Sequence, residues 1–161
     1  MIVVSDTSPI SNLLLIGKLE ILQQLFHTVI ICESVNSEIL QLEQTNKNIS
    51  AYKFADWITI KQIKSSGKKS ELLQFLDEGE AESIALSLEI NCNLLLIDER
   101  IGSRIAKAEG LTTIGLVGVL ILAKKKNVIP LIKPVLQLLI TDAGFWIGGD
   151  LFKKILADCD E

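Results

Sequence analysis

The chain has 161 residues, 48% of them apolar, with a mean hydropathy of +0.39, a net charge of −4 and a pI of about 5.1. This predicts one domain over residues 1–161 with a large core. It argues against a membrane span, for which no apolar run approaches the ~20 residues needed, against a signal peptide, since Asp6 interrupts the opening apolar stretch and no basic segment precedes it, and against tight non-specific duplex binding, which uses a basic surface. A soluble cytoplasmic protein is the expectation.

The chain opens on Ile2-Val3-Val4-Ser5-Asp6-Thr7-Ser8-Pro9. A β-branched run ends in an acid, then hydroxyls, then proline. This reads as a buried strand, a turn and a helix start, with Ser8 as N-cap and Pro9 as first helical residue. Residues 9–25 carry apolar residues at helical spacing, and Gly17 divides them. Phe26 to Ile31 reads as a second strand and residues 33–44 as a helix with the stripe Val35, Ile39 and Leu42. Glu38 lies about 60° from Val35 at ~100° per residue, on the edge of that stripe. Residues 45–52 are polar and predict a loop. Trp57 to Ile60 predicts a strand, and Lys64 to Ser70 another loop.

Gly79 precedes a helix whose apolar face is Ala81, Ile84, Ala85 and Leu88, with Glu80 and Glu82 flanking it on opposite sides in the first turn. The small residues on that face predict close packing on a sheet. Leu94-Leu95-Leu96-Ile97-Asp98 repeats the opening pattern: an apolar strand ended by an acid and followed by a helix, residues 100–109, closed by Gly110. Further elements are a strand at 111–114 and helices at 118–126, from Pro130 and Pro134 to Ile140, and at 150–157, the last after a turn at 144–149. The lysines at 124–126 suit a helix C-terminus. Strands alternating with helices predict a three-layer α/β/α fold around a mainly parallel sheet.

Cys32, Cys92 and Cys159 are odd in number and form no C-x-x-C pair, so neither a disulfide framework nor a structural zinc site is expected. His27 is the only histidine and reads as structural. The chemistry therefore rests on acids. In a parallel sheet Asp6 and Asp98 end strands at the same edge, where ligands bind in open α/β folds. Helices add Glu38 and either Glu80 or Glu82. Carboxylates without histidine or thiolate form a hard oxygen site suited to Mg²⁺ or Mn²⁺. The matching chemistry is phosphodiester hydrolysis.

At these residues the sequence resembles the PIN-domain family, in particular its VapC-like prokaryotic endoribonucleases. Asp6-Thr7-Ser8-Pro9-Ile10 resembles the first acid block and the segment around Val35, Glu38 and Ile39 the second. Gly79-Glu80-Ala81-Glu82-Ser83-Ile84-Ala85-Leu86 and Leu95-Leu96-Ile97-Asp98-Glu99-Arg100 resemble the third and fourth. Gly115 to Lys126, ending near Asn127-Val128-Ile129-Pro130, resembles a subgroup with an extended helical C-terminus. The resemblance implies a PIN-like fold, a Mg²⁺ or Mn²⁺ site and cleavage of RNA. It also implies a toxin paired with a small antitoxin protein. The apolar richness of the chain and its C-terminal helices make a homodimer plausible. Carried over by position, the catalytic and metal-binding residues are Asp6, Glu38, Glu80 and Asp98. Glu80 lies at the family's spacing from Asp98, whereas Glu82 fits if the last acid is Glu99; the family's usual Asp is a Glu here. Arg100 and Arg104 could contact phosphate.

Two other classes compete. A phosphohydrolase of the aspartyl-phosphate type pairs its first Asp with another two residues on, where this chain has Ser8. A non-catalytic RNA- or protein-binding module on the same fold is the other. No P-loop or dinucleotide-binding glycine pattern occurs.

Overall fold

The computed structural model describes residues 1–161. Strand β1 (Val3–Ser5) leads into α1 (Thr7–Leu15). Gly17, at φ +65°, turns the chain toward α2 (Glu20–Phe26), so the dividing glycine acts as expected. Ser8 and Pro9 lie inside α1 instead of capping it. Asp6 holds the extended cap position but makes no side-chain cap bond, leaving its carboxylate for other contacts. His27 closes α2 at φ +64°. It precedes β2 (Val29–Cys32), and therefore sits at the amino edge of the sheet, away from the strand-end acids.

The chain continues through α3 (Glu33–Gln41), α4 (Ile49–Lys53), β3 (Ile58–Lys61), α5 (Gly67–Leu72) and α6 (Glu78–Glu89). Two expected loops thus contain helix. In α4, buried Ile49 and Tyr52 supply an i, i+3 anchor within a polar stretch, and in α5 buried Leu72 does the same. The rest is β4 (Leu94–Leu96), α7 (Arg100–Ala108), β5 (Thr113–Ile114), α8 (Leu116–Lys125), α9 (Lys133–Asp142) and α10 (Gly149–Asp158). Helix α8 starts at Leu116, not Gly118, because extended Gly115 occupies its cap.

All five strands pair in parallel in the order β3-β2-β1-β4-β5, with helices flanking the sheet as the three-layer α/β/α expectation requires. The first three strands run outward in one direction and β4 and β5 in the other. The order therefore reverses between β1 and β4, and a crevice opens beyond the carboxyl ends of such a pair. Ser5 is level with Leu96, and the Asp6 N–H donates to the Leu96 carbonyl at 2.9 Å. This carries Asp6 to the lip of the crevice.

Thirty-eight buried residues form one apolar cluster under this edge. Helix α6 is its most enclosed member. Residues Gly79 to Ser87 are all buried, and the small side chains of Ala81 and Ala85 on one side and Ser83 and Ser87 on the other let its neighbours approach closely. The Ser87 hydroxyl donates to the Ser83 carbonyl at 2.7 Å, which satisfies the polar atom that such burial would otherwise orphan. Cys32 and Cys159 are buried and Cys92 partly so, all as free thiols.

Candidate active site

Beyond β1 lies a cavity of about 290 Å³ lined by the acids Asp6, Glu38, Asp77, Glu80 and Glu99 and by Thr7, Ser8, Phe75, Leu76 and Ile101. Of the four acids carried over from the sequence, three meet here: Asp6, Glu38 and Glu80. Asp6 is 4% exposed and Glu80 6%. None of the five acids forms an ion pair with a lysine or arginine.

Each carboxylate is placed by its own element. Asp6 is at the end of β1. Glu38 projects from α3, and the Thr7 hydroxyl donates to its Oε2. Its carboxylate lies against Gly79, where a Cβ would come within 2.6 Å of Oε1. Gly79 is thus inside the first turn of α6, not before the helix, and keeps the space that Glu38 fills. Glu80 belongs to a capping box: the Asp77 carboxylate accepts the Glu80 N–H at 2.9 Å, and Glu80 Oε2 accepts the Asp77 N–H at 3.3 Å. This fixes one Glu80 oxygen. The other faces Gly102 of α7, where a Cβ would stand 3.1 Å from it. Two helical glycines therefore back onto two of the clustered acids. The sequence signal was available, since a glycine inside a helix costs about 1 kcal/mol relative to alanine and asks for a packing reason.

Asp98 is not in this cavity. Its Oδ1 accepts the Leu116 N–H at 2.6 Å at the start of α8, and its Oδ2 is buried without a partner. The residue after it, Glu99, faces the acid cavity instead. Register explains the change: one step beyond a strand end moves a side chain to the other face, and the sequence pattern could not tell which of the two adjacent acids would turn inward. Glu82 is also elsewhere. It accepts the Ser34 N–H at 3.3 Å and pairs with Lys69, which also reaches Glu78 at 3.0 Å.

The electrostatics separate these groups. Burial raises Asp6 from 3.8 to about 7. The Thr7 N–H works against the rise, and Glu80, Asp77 and Glu38 add to it. Glu80 is raised by burial and by Asp77, with Glu99 and Glu38 contributing. Asp98 is raised by burial, opposed by the Leu116 N–H. Glu82 feels the same burial, but Lys69 and Ser34 outweigh it and hold the carboxyl below its usual range.

The donor set suits a hard divalent cation: oxygen only, clustered and without a protein counter-charge. No three His, Cys, Asp or Glu side chains close around a single point. A Mg²⁺ ion held directly by one or two of these carboxylates, and by the others through its retained waters, would suit this spacing.

A parallel α/β sheet with acids gathered at its switch point defines the architecture of this site. A family model described as a PIN domain matches residues 2–161, and the chain belongs to that family. Members are generally nucleases and typically bind divalent metals. No curated protein matches the sequence. Among solved structures, the fold is similar to a PilT N-terminus domain protein of the hyperthermophilic archaeon Sulfolobus solfataricus P2. The TM-score is 0.56 at 18% identity, over 74% of this chain and 90% of that one. No helix is long and apolar enough to cross a membrane.

Proposed function

We propose that the protein is a Mg²⁺- or Mn²⁺-dependent endoribonuclease, with Asp6, Glu38, Glu80 and Glu99 as its metal-binding acids. The observation that carries this reading is the burial of Asp6 and Glu80 in one cavity with Glu38 and without a cationic partner. Like charges so placed are costly alone and are relieved by a divalent ion. When bound there, such an ion polarises a phosphoryl oxygen, lowers the pKa of water and steadies the leaving oxygen. The chain's own part is to hold the acids. Thr7 and Gly79 aim Glu38, and the Asp77 cap aims Glu80. Asp98 serves as the anchor of α8 in this scheme, and its place in the ligand set passes to Glu99.

Purified protein with Mn²⁺ is expected to cut single-stranded RNA, and Asp6→Asn protein of unchanged fold is expected not to. Cutting that survives both Asp6→Asn and excess chelator contradicts the reading. RNA binding without any cutting favours the binding-module alternative, which the Glu at position 80 keeps open. The same proposal makes the protein the toxin of a toxin–antitoxin pair, acting as a homodimer with a small antitoxin protein as partner. What supports a dimer is exposed Phe54 and Ile60 beside the open edge strand β3. Growth arrest on expression, absent for Asp6→Asn, tests the toxin role, and sedimentation tests the dimer.

A further inference from the structure

A second cavity adjoins the first. Where the chain enters α7 the facing alternates: Glu99 at the cap and Ile101 line the acid cavity, whereas Asp98 and Arg100 line its neighbour. The first turn of α7 is thus a wall between two depressions at the same sheet edge. The neighbour, of about 450 Å³, is otherwise lined by Ile97, Ser103, Arg104, Lys107 and Gly115. Arg100, Arg104 and Lys107 follow an i, i+4, i+7 spacing, which places them within about 60° on one helix face. All three are exposed, and none forms an ion pair. Glu109, the acid at the end of the same helix, is already held by Lys68 at 2.9 Å. Asp98, which lines the same cavity, accepts the Leu116 N–H at its Oδ1 at 2.6 Å and forms no ion pair with the three cations.

Helix stability does not explain this stripe. Lys107 suits a C-terminal turn, but Arg100 is the first residue of α7, where the helix dipole disfavours a cation. Three unpaired cations on one face of a chain with net charge −4 ask for an external anion. Two are arginines, whose forked donors match phosphate oxygens.

Given the ribonuclease reading, we infer that this basic cavity holds a phosphate of the RNA strand flanking the bond to be cut, so that the strand passes over the first turn of α7. The stripe then positions substrate and contributes nothing to metal binding.

The test compares two triple variants by fluorescence anisotropy with a 12-nucleotide single-stranded RNA, in chelator, across a salt series. Arg100→Gln/Arg104→Gln/Lys107→Gln is expected to weaken binding roughly tenfold near 0.1 M salt. It should also flatten the log–log salt slope by about 0.7, the single-strand value for one phosphate contact. Lys125→Gln/Lys126→Gln/Lys154→Gln removes the same charge from exposed positions on α8 and α10 and is expected to change binding less than about twofold. With Mn²⁺ present, the stripe variant should raise KM and keep its Mn²⁺ affinity. Equal losses in the two variants, or an unchanged slope in the first, overturn the inference. A stripe-dependent slope in wild-type protein that cuts no RNA with Mn²⁺ supports the basic subsite while sinking the ribonuclease reading.

Discussion

Glu80 and Glu82 stand two residues apart on one helix, 6% and 5% exposed, yet they have opposite fates. Glu82 is surrounded by Lys69 and the Ser34 donors, which hold it ionised. Glu80 shares a cavity with four other acids and no cation, and its carboxyl is raised. A buried acid with a built-in partner is a structural tie. A buried acid left among its like is an unfinished charge arrangement, and such strongly perturbed groups concentrate at functional sites.

Several substitutions can break this contrast. The largest effect is expected from Asp6→Asn, which should lower RNA cleavage on the order of a thousandfold, the scale of losing a principal electrostatic contributor, with circular dichroism unchanged. The same variant tests the pH linkage. Asp6 is raised from 3.8 to about 7 when folded, so the folded chain holds this proton more tightly than the unfolded one. Its contribution to stability without metal is intact below about pH 4, then declines as pH rises, and is fully lost above about pH 7. Relative to Asp6→Asn, wild-type protein in chelator should therefore lose on the order of 4 kcal/mol between pH 4 and 8 in denaturant titrations. A flat difference contradicts the burial argument. Mn²⁺ should restore stability more at pH 8 than at pH 5, because ligands must be deprotonated.

Next come the paired helix variants. Glu80→Gln should weaken Mn²⁺ binding in a calorimetric titration and leave stability nearly unchanged. Glu82→Gln should do the reverse, costing about 1–3 kcal/mol by leaving half-buried Lys69 without its main partner. The opposite pattern would reassign the ligand. Smaller still is Gly79→Ala. The added methyl displaces the Glu38 carboxylate and should lower cleavage 10–100-fold, the usual range for groups that orient a ligand, with little change in Tm. Thr7→Val acts on the same carboxylate and should fall in the same range.

Much of this was legible in the sequence. The β-branched runs before Asp6 and Asp98 marked the central strands, and the small residues of 81–87 marked the helix that lies on them. The α/β alternation specified the parallel sheet. Asp6 and Glu38 were readable because strand-end position and helical stripe each indicate a direction. Three features were not. The choice between Glu80 and Glu82 depended on Lys69, thirteen residues upstream of Glu82 and in a stretch whose polarity predicts a loop. The choice between Asp98 and Glu99 depended on which way the chain leaves β4, and the Leu116 N–H that captures Asp98 comes from a helix eighteen residues later. The exchange of Ser8 for Asp6 at the α1 cap position turned on one residue of helix start, within the ordinary blur of helix boundaries.

The most direct test of the central claim is anomalous diffraction from crystals soaked in Mn²⁺. A strong peak is expected within coordination distance of Asp6 and of at least one of Glu38 and Glu80, absent in Asp6→Asn. A peak beside Glu82 or Asp98, or none in this cavity at saturating Mn²⁺, would contradict it.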